Sequence, residues 1–408
     1  MRTYCIAGTG VRGFLMYAKA ITERYRDEAR LTGLFDINPL RAGYVGQGLG
    51  GEIPVYASFD EMLHSAEPDV VIITTVDCFH SFYIRRAFEK GCDVICEKPL
   101  AVNEVQLLDI LRAEREYGRK VEVTFNCRFM PIFARLKELL LGGAVGEIQS
   151  VNLEWMLDTS HGADYFRRWH RRLKNSGGLL VHKATHHFDI VNWLVGQTPE
   201  KVGAHGALRF YGKNGAFRGE RCLNCGHREK CAFVYRDGET EYIKRMFFDA
   251  ESADGYYRDR CVFSEEIDIY DNMSLTVKYE SAILTYSLSA YNPYEGWRMA
   301  VNGTGGRLEA ASYTSGIPAD EPYNHVAVYN HRGERLVYDM KKIYETHGGG
   351  DERMLRMLLR GGSKDKDALR QRAGSREGVL SAVIGVAANK SIAENRFVAV
   401  KELLGEEI

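Results

Sequence analysis

Long apolar runs are missing from this 408-residue chain. No stretch approaches the ~20 consecutive apolar residues that cross a bilayer, so no membrane partner is expected. Charge of one sign is missing too. Lys and Arg number 54 against 55 Asp and Glu, for a formal net charge of -1, and this balance gives no reason to expect nucleic acid or an anionic surface as a partner. There is no internal repeat and no long low-complexity linker. Thr3-Tyr4-Cys5-Ile6-Ala7 reads as a strand beginning at the third residue, which leaves no room for a secretory leader. Nine cysteines scattered without such a leader fit reduced thiols, and a cytoplasmic location is expected. What is present is 45% hydrophobic, 27% charged and 11% aromatic residues, ordinary for a globular protein with a sizeable core. The length suggests two or three domains.

The first 125 residues alternate short apolar strand signals (30–36, 69–75, 93–96, 121–125) with helical patterns (12–25, 80–90, 104–117). That alternation predicts an α/β domain with a parallel sheet covered on both faces. The style changes at Asn126-Cys127-Arg128-Phe129-Met130-Pro131, where the domain boundary is placed: 1–125, then 126–408. After a helix over 132–141, longer alternating runs (148–155, 274–289, 299–309) predict an α+β domain with a large mixed, mostly antiparallel sheet. Residues 218–261 are polar, aromatic and cysteine-bearing, and read as an insertion. Helical segments over 351–360 and 375–395 close the chain.

Gly8-Thr9-Gly10-Val11-Arg12-Gly13 lies between the first strand and the first helix. Glycines there let a pyrophosphate approach backbone amides at a helix N-terminus. The second strand ends in Asp36, about twenty residues further on. A carboxylate there accepts from both ribose hydroxyls and repels a 2′-phosphate, so NAD is expected over NADP, with Arg41 nearby leaving NADP open. Thr74-Thr75-Val76-Asp77 ends another strand where ligands gather above an open sheet, and His80 follows as a cofactor contact or a packing residue.

Lys98, in Glu97-Lys98-Pro99, follows an apolar strand and so sits at the carboxyl end of the sheet. Pro99 restricts the Lys98 backbone and leaves a cis bond open, with trans the base-rate expectation. An amine beside a cationic nicotinamide has a lowered pKa and can exchange a proton with a substrate hydroxyl. Further on, Ser176-Gly177-Gly178 precedes a predicted helix on which His182, His186 and Asp189 share one face, with Lys183, His187 and Phe188 off it and His187 read as packing. Taking the proton of a carbinol during hydride loss suits an imidazole. The i, i+4 spacing of His182 and His186, with Asp189, also leaves a metal site open, although Lys183 stands where a zincin has its glutamate.

Together these motifs resemble the Gfo/Idh/MocA oxidoreductases, named for glucose-fructose oxidoreductase and inositol dehydrogenase. The resemblance spans nearly the whole chain and includes the Gly8–Gly13 loop, Glu97-Lys98-Pro99, Asn126-Cys127-Arg128-Phe129, Gly177-Gly178 with His186 and Asp189, and the stretches 302–309 and 347–351. It implies a Rossmann domain, a C-terminal domain with a large mixed sheet, homodimers or homotetramers packed through that sheet, and a sugar, inositol or polyol substrate. It also implies Lys98 as catalytic lysine and His186 as catalytic histidine. Many members carry aspartate where this chain has His182, so the proton relay is not carried over unchanged. The cofactor side is expected to comprise Gly8, Gly10, Val11, Arg12, Gly13, Asp36, Thr75, His80, Glu97, Lys98 and Asn126. The catalytic set is Lys98, His186 and His182. Arg168, Trp169 and His170 add cationic and aromatic groups suited to a sugar ring, and with Lys183 and Asp189 form the expected substrate side.

Within the insertion, Cys222-Leu223-Asn224-Cys225, Cys231 and Cys261 match a structural tetrahedral zinc site, an Fe–S cluster being chemically possible and His227 a rival fourth ligand. The expected activity is NAD-dependent hydride transfer from a carbinol carbon. Two alternatives stay open: a glycosidase or lyase that oxidises transiently with tightly bound NAD, and a non-catalytic nucleotide-sensing regulator on the same fold.

Overall fold

The computed structural model describes residues 1–236, 240–360 and 367–407. Residues 237–239 of the expected insertion lie outside them. Five strands, β1 (Arg2–Ala7), β2 (Ala29–Phe35), β3 (Val70–Ile73), β4 (Asp93–Cys96) and β5 (Val121–Val123), form one wholly parallel sheet in the order β2-β1-β3-β4-β5. β3 is Val-Val-Ile-Ile and buried throughout, as a central parallel strand covered on both faces must be. The helices His80–Glu89 and Glu104–Tyr117 return the chain between strands. The second starts where the Asn103 side chain accepts from Gln106 N and stops at left-handed Gly118, the capping asymmetry expected of a helix read from sequence. The helices Pro39–Gly48 and Phe59–Ala66 were not foreseen.

Nine strands make the second sheet: β6 (Ile148–Asp158), β7 (Lys201–Ala207), β8 (Asn272–Lys278), β9 (Ile283–Asn292), β10 (Gly296–Gly303), β11 (Gly306–Tyr313), β12 (Tyr323–Asn330), β13 (Arg335–Lys341) and β14 (Val398–Ala399), ordered β13-β12-β11-β10-β6-β9-β8-β7-β14. Only β6 and β9 pair in parallel. Two runs expected as single strands fold into hairpins. The stretch 274–289 turns at Tyr279, whose N–H donates to the Ala282 carbonyl, and 299–309 turns between Gly303 and Gly306. β8 alternates exposed and buried residues along its length, which gives the sheet one face against the core.

The helix Ser375–Glu394 presents apolar residues nearly all round and packs against β7, β5 and the helix Thr185–Val195. It therefore ties the two sheets into one buried cluster. The cleft between the sheets opens at the carboxyl ends of the parallel strands, where Lys98 meets the segment bearing His182 and His186. Among the described residues no helix is long and apolar enough to cross a membrane.

Candidate active site

The glycine loop is built for close approach. Gly8 has a left-handed backbone (φ +93°), and a Cβ on it would come within 2.7 Å of the Thr74 backbone. A Cβ on Gly13 would sit 2.1 Å from the Gly8 carbonyl. Gly10 differs: a Cβ there meets nothing within 4 Å, so its backbone faces open space at the start of the following helix. Two packed glycines and one open one are what a phosphate cradle requires. The buried Thr75 Oγ1 and Asn126 Oδ1 have no internal partner, and the residues present fit a dinucleotide. Asp36 accepts four hydrogen bonds, from Thr9 N (2.7 Å), Thr9 Oγ1 (3.1 Å), Asn38 N (2.8 Å) and Arg41 Nη1 (3.0 Å). Arg41 also donates to Asp254 (2.7 Å) and to the Met246 carbonyl (3.1 Å). Its guanidinium is enclosed between two carboxylates.

His80, named on the expected cofactor side with packing as its other reading, stands between two loops. It is fully buried, with Nδ1 2.8 Å from the Pro99 carbonyl and Nε2 3.2 Å from that of Thr75, so it pins the two loops that carry Lys98 and Thr75. Burial pushes its pKa below the usual imidazole value. Glu97 accepts from Arg12 Nε (3.0 Å) and Tyr17 Oη (2.7 Å). Arg12 reaches on to Asp351 (3.3 Å), which also bonds Asn126 Nδ2 (2.7 Å) and His347 Nδ1 (2.9 Å). Burial opposes the Glu97 charge, but Arg12 and Tyr17 outweigh it and hold its carboxyl below the usual range.

The Lys98–Pro99 bond is cis rather than trans. Lys98 Nζ donates to the His182 carbonyl at 3.1 Å. Burial lowers its pKa to about 8, against the opposing pull of Asp77 and Glu97 and with help from Lys183 and Arg12. The amine is thus poised to change charge near neutrality.

The predicted single helix through His182 and Asp189 is broken. One turn covers Leu179–His182, the chain bends at Lys183 and Ala184, and a new helix runs Thr185–Val195. The break frees the His182 carbonyl for Lys98 and separates residues expected on one face. His182 Nδ1 lies 2.5 Å from Asp77 Oδ2. Burial drives Asp77 well above the carboxylate range. Burial, aided by the Lys98 and His170 charges, drives His182 well below the imidazole range. Around His182 stand the rings of Tyr165 (5.6 Å), Trp169 (5.5 Å) and His170 (4.3 Å). Arg168 leans toward Asp164 at 3.7 Å.

Asp189, named on the expected substrate side, is held by Arg128. It is 1% exposed and forms a two-pronged pair with Arg128 at 2.6 and 2.8 Å. This pair fastens the second helix to the 126–129 turn and, with the helix break, removes Asp189 from the alternative metal site. Among the described residues no group of three or more potential ligands stands at metal-binding geometry.

Lys183, read as lying off the His182–Asp189 face but named on the expected substrate side, lines a cavity of about 410 Å³ with His186, His187, Trp155, Trp297 and Glu295. His187 stacks on Trp155 at 3.6 Å and meets Tyr286 Oη at 2.7 Å, so its packing role coexists with a place in the wall. Burial, then the charges of Lys98 and Lys183, push His186 well below the usual imidazole pKa, and its Nδ1 has no internal partner. A polar chain runs from Glu295 through His161 Nδ1 (2.9 Å) and Tyr165 Oη (2.9 Å) to the Lys183 ammonium. Arg168, Trp169 and His170 do not line this cavity; they back His182. Glu295 and His161 escaped sequence reasoning, while Asp77 was reached only as the end of a ligand-gathering strand and Tyr165 only as the start of the aromatic and cationic run through His170.

A dinucleotide cradle facing a lysine-and-histidine cleft defines a nucleotide-dependent oxidoreductase architecture. Residues 2–125 match the model of an oxidoreductase family with an NAD-binding Rossmann fold, and residues 137–400 match that of its C-terminal alpha/beta domain. The chain belongs to this family, the Gfo/Idh/MocA oxidoreductases. It is 36% identical over 426 aligned positions to a putative oxidoreductase, YteT, of Bacillus subtilis (strain 168), covering 99% of each protein. It is 28% identical to the inositol 2-dehydrogenase of Rhizobium meliloti (strain 1021) over 47% of this chain and 55% of that one. The scyllo-inositol dehydrogenase of Lactobacillus casei, solved with NAD(H) and scyllo-inositol, superposes with a TM-score of 0.66 at 18% identity over 98% of this chain and 99% of that one.

Proposed function

We propose that the protein is an NAD-dependent dehydrogenase of a sugar, an inositol or a related polyol. The observation that carries this reading is the buried Lys98 amine, poised at about pKa 8 and fixed on the His182 carbonyl beside the His186 segment. NAD, when bound, supplies the acceptor for the hydride of the carbinol carbon. The Gly8–Gly13 loop and Asp36 bind it, with the Thr9 hydroxyl the donor a ribose would replace. Arg41, already held by Asp36 and Asp254, has little left to offer a 2′-phosphate, which favours NAD over NADP.

The Lys98 ammonium polarises the substrate oxygen at Nζ, and the His186 imidazole, kept neutral by burial and neighbouring cations, takes the hydroxyl proton. Lys183, Glu295 and His161 orient the remaining hydroxyls. Trp155 and Trp297 supply aromatic faces for the ring, in a cavity whose volume suits a small polyol or a glycoside. A second reading rests on the His182–Asp77 pair, a further proton carrier beside Lys98. It suits abstraction of a C–H proton after transient oxidation, hence elimination of a glycoside without net oxidation.

The test is a panel of inositols, monosaccharides and aryl glycosides scored for NADH and for released aglycone. NADH formation is expected, with His186→Ala lowering kcat by about 10²–10⁴-fold while NAD still binds. Aglycone release without NADH selects the second reading. Full activity of His186→Ala refutes both.

A further inference from the structure

Outside the cleft, the most organised unused chemistry is in the inserted segment. Cys222, Cys225, Cys231 and Cys261 all line one cavity of about 20 Å³, whose other walls include Phe217, Phe233 and Phe263. That is room for a single ion or water, and too little for an iron–sulfur cluster. None of the four is in a disulfide. Each opens a tight turn closed by an i→i+3 backbone bond: Cys225 N to Cys222 O, Arg228 N to Cys225 O, Val234 N to Cys231 O and Ser264 N to Cys261 O. Backbone amides also donate to sulfur, from His227 to Cys225, from Tyr235 to Cys222 and from Phe263 to Cys261, each at 3.4 Å. An N–H aimed at sulfur favours thiolate, the form a metal needs. Arg167 lies 3.9 Å from the Cys222 sulfur, and Arg218, Arg221 and Arg228 line the cavity, which suits the residual negative charge of four thiolates around a dication. The distant Cys222 and Cys261 are brought together by a two-strand bridge, Cys222 N donating to the Asp259 carbonyl (2.8 Å) and Cys261 N to that of Glu220 (3.0 Å).

We infer that these four cysteines form a structural site for one tetrahedral zinc ion, and that the ion secures the inserted segment against the adenosine side of the cofactor cradle. As they stand, the sulfurs line the cavity without converging to ligating geometry, so binding draws them inward to about 2.3 Å from the metal. The segment between Cys231 and Cys261 is the part that reaches the cradle. Ile243, Met246 and Phe247 are buried in the same apolar cluster as Phe14, Tyr17 and Val45. The Ala250 carbonyl accepts from Asn38 (2.8 Å), and Asp254 holds Arg41, the partner of Asp36. Arg221, next to Cys222, joins both ends by pairing with Glu251 and Asp259 at 2.9–3.0 Å. With four protein ligands the site has no open position and no catalytic role.

The zinc assignment is independent of the function proposed above; its effect on the cradle rests on that reading. The experiment uses the full chain, purified without added metal. Elemental analysis is expected to give about one zinc per chain, lost in Cys222→Ser/Cys225→Ser, and cobalt is expected to give thiolate charge-transfer absorption in the wild-type protein. The cobalt arm stays decisive even if the variant fails to fold. Stopped-flow fluorescence of bound NADH is expected to show release about tenfold faster after zinc is chelated. Absence of both zinc and cobalt uptake, iron with sulfide, or a Cys222–Cys225 disulfide overturns the site. Zinc present with unchanged NADH release overturns the link to the cradle. Failure to bind any dinucleotide counts against the proposed function and leaves the metal analysis standing.

Discussion

Replacing Asp77 with asparagine is the sharpest probe of the Lys98 amine. Asp77 stands among the groups that raise the Lys98 pKa against the lowering by burial, which leaves it at about 8. An opposite charge within ~4–6 Å is worth about 1–3 pKa units in a desolvated site. Burial disfavours the ionised form of Asp77, so Asp77→Asn removes only the part of that charge that survives burial, while its amide can still pair with His182 Nδ1 in either sense. The Lys98 pKa is therefore expected to fall, by less than the ~1–3 units that a fully ionised neighbour is worth. The proposed role uses the ammonium, so kcat/KM for oxidation falls as pH rises through the Lys98 pKa. His186 adds no limb in this range, because burial and its cationic neighbours place its pKa well below the usual imidazole value. The assay is initial-rate NADH formation across about pH 6–10, for the wild type, Asp77→Asn and Lys98→Met. The descending limb is expected to move to lower pH in Asp77→Asn and to vanish in Lys98→Met, which also loses about 10²–10⁴-fold in rate. A limb unmoved in Asp77→Asn, or still present in Lys98→Met, would refute the assignment of this titration to Lys98.

Gly10→Ala and Gly13→Ala should part company. The first adds a methyl to open space, so thermal stability holds while NAD affinity drops by about tenfold or more in titration calorimetry. The second drives a Cβ to within 2.1 Å of the Gly8 carbonyl and is expected to cost about 1–3 kcal/mol in urea unfolding. Arg128→Met should destabilise by about 3–5 kcal/mol, because it leaves the Asp189 carboxylate buried alone. Burial already lifts Asp189 to about 6, against the pull of Arg128. Losing Arg128 lifts it further, so the folded state is favoured below the unfolded pKa and loses stability as pH rises through the folded one. Urea unfolding at about pH 5 and about pH 8 should therefore show the larger loss at the higher value.

The sheets were readable because their signals are local. Val-Val-Ile-Ile bounded by polar residues is a buried parallel strand whatever surrounds it, and the glycine loop followed by Asp36 carries its purpose in its spacing. The hairpins inside 274–289 and 299–309 were not, since alternation continues across a tight turn and periodicity alone does not mark where the chain reverses. Helical spacing put His182, His186 and Asp189 on one face because it presumes an unbroken helix, whereas the chain leaves the helix at Lys183–Ala184 and starts a new one at Thr185. The pairing of Asp77 with His182 and of Glu295 with His161 joins residues distant in sequence, which no short pattern encodes. His80 shows the converse: its position at a helix start beside a ligand-bearing strand end suggested either a cofactor contact or packing, and its ring is buried between the Pro99 and Thr75 carbonyls.

The acceptor for the Lys98 amine belongs to the other half of the molecule. Were the parallel-sheet and nine-stranded halves to part by even a few ångströms, the amine would face water instead of the His182 carbonyl, and its proton affinity would climb back toward that of a free lysine. The working proton inventory of the cleft therefore belongs to the closed arrangement alone.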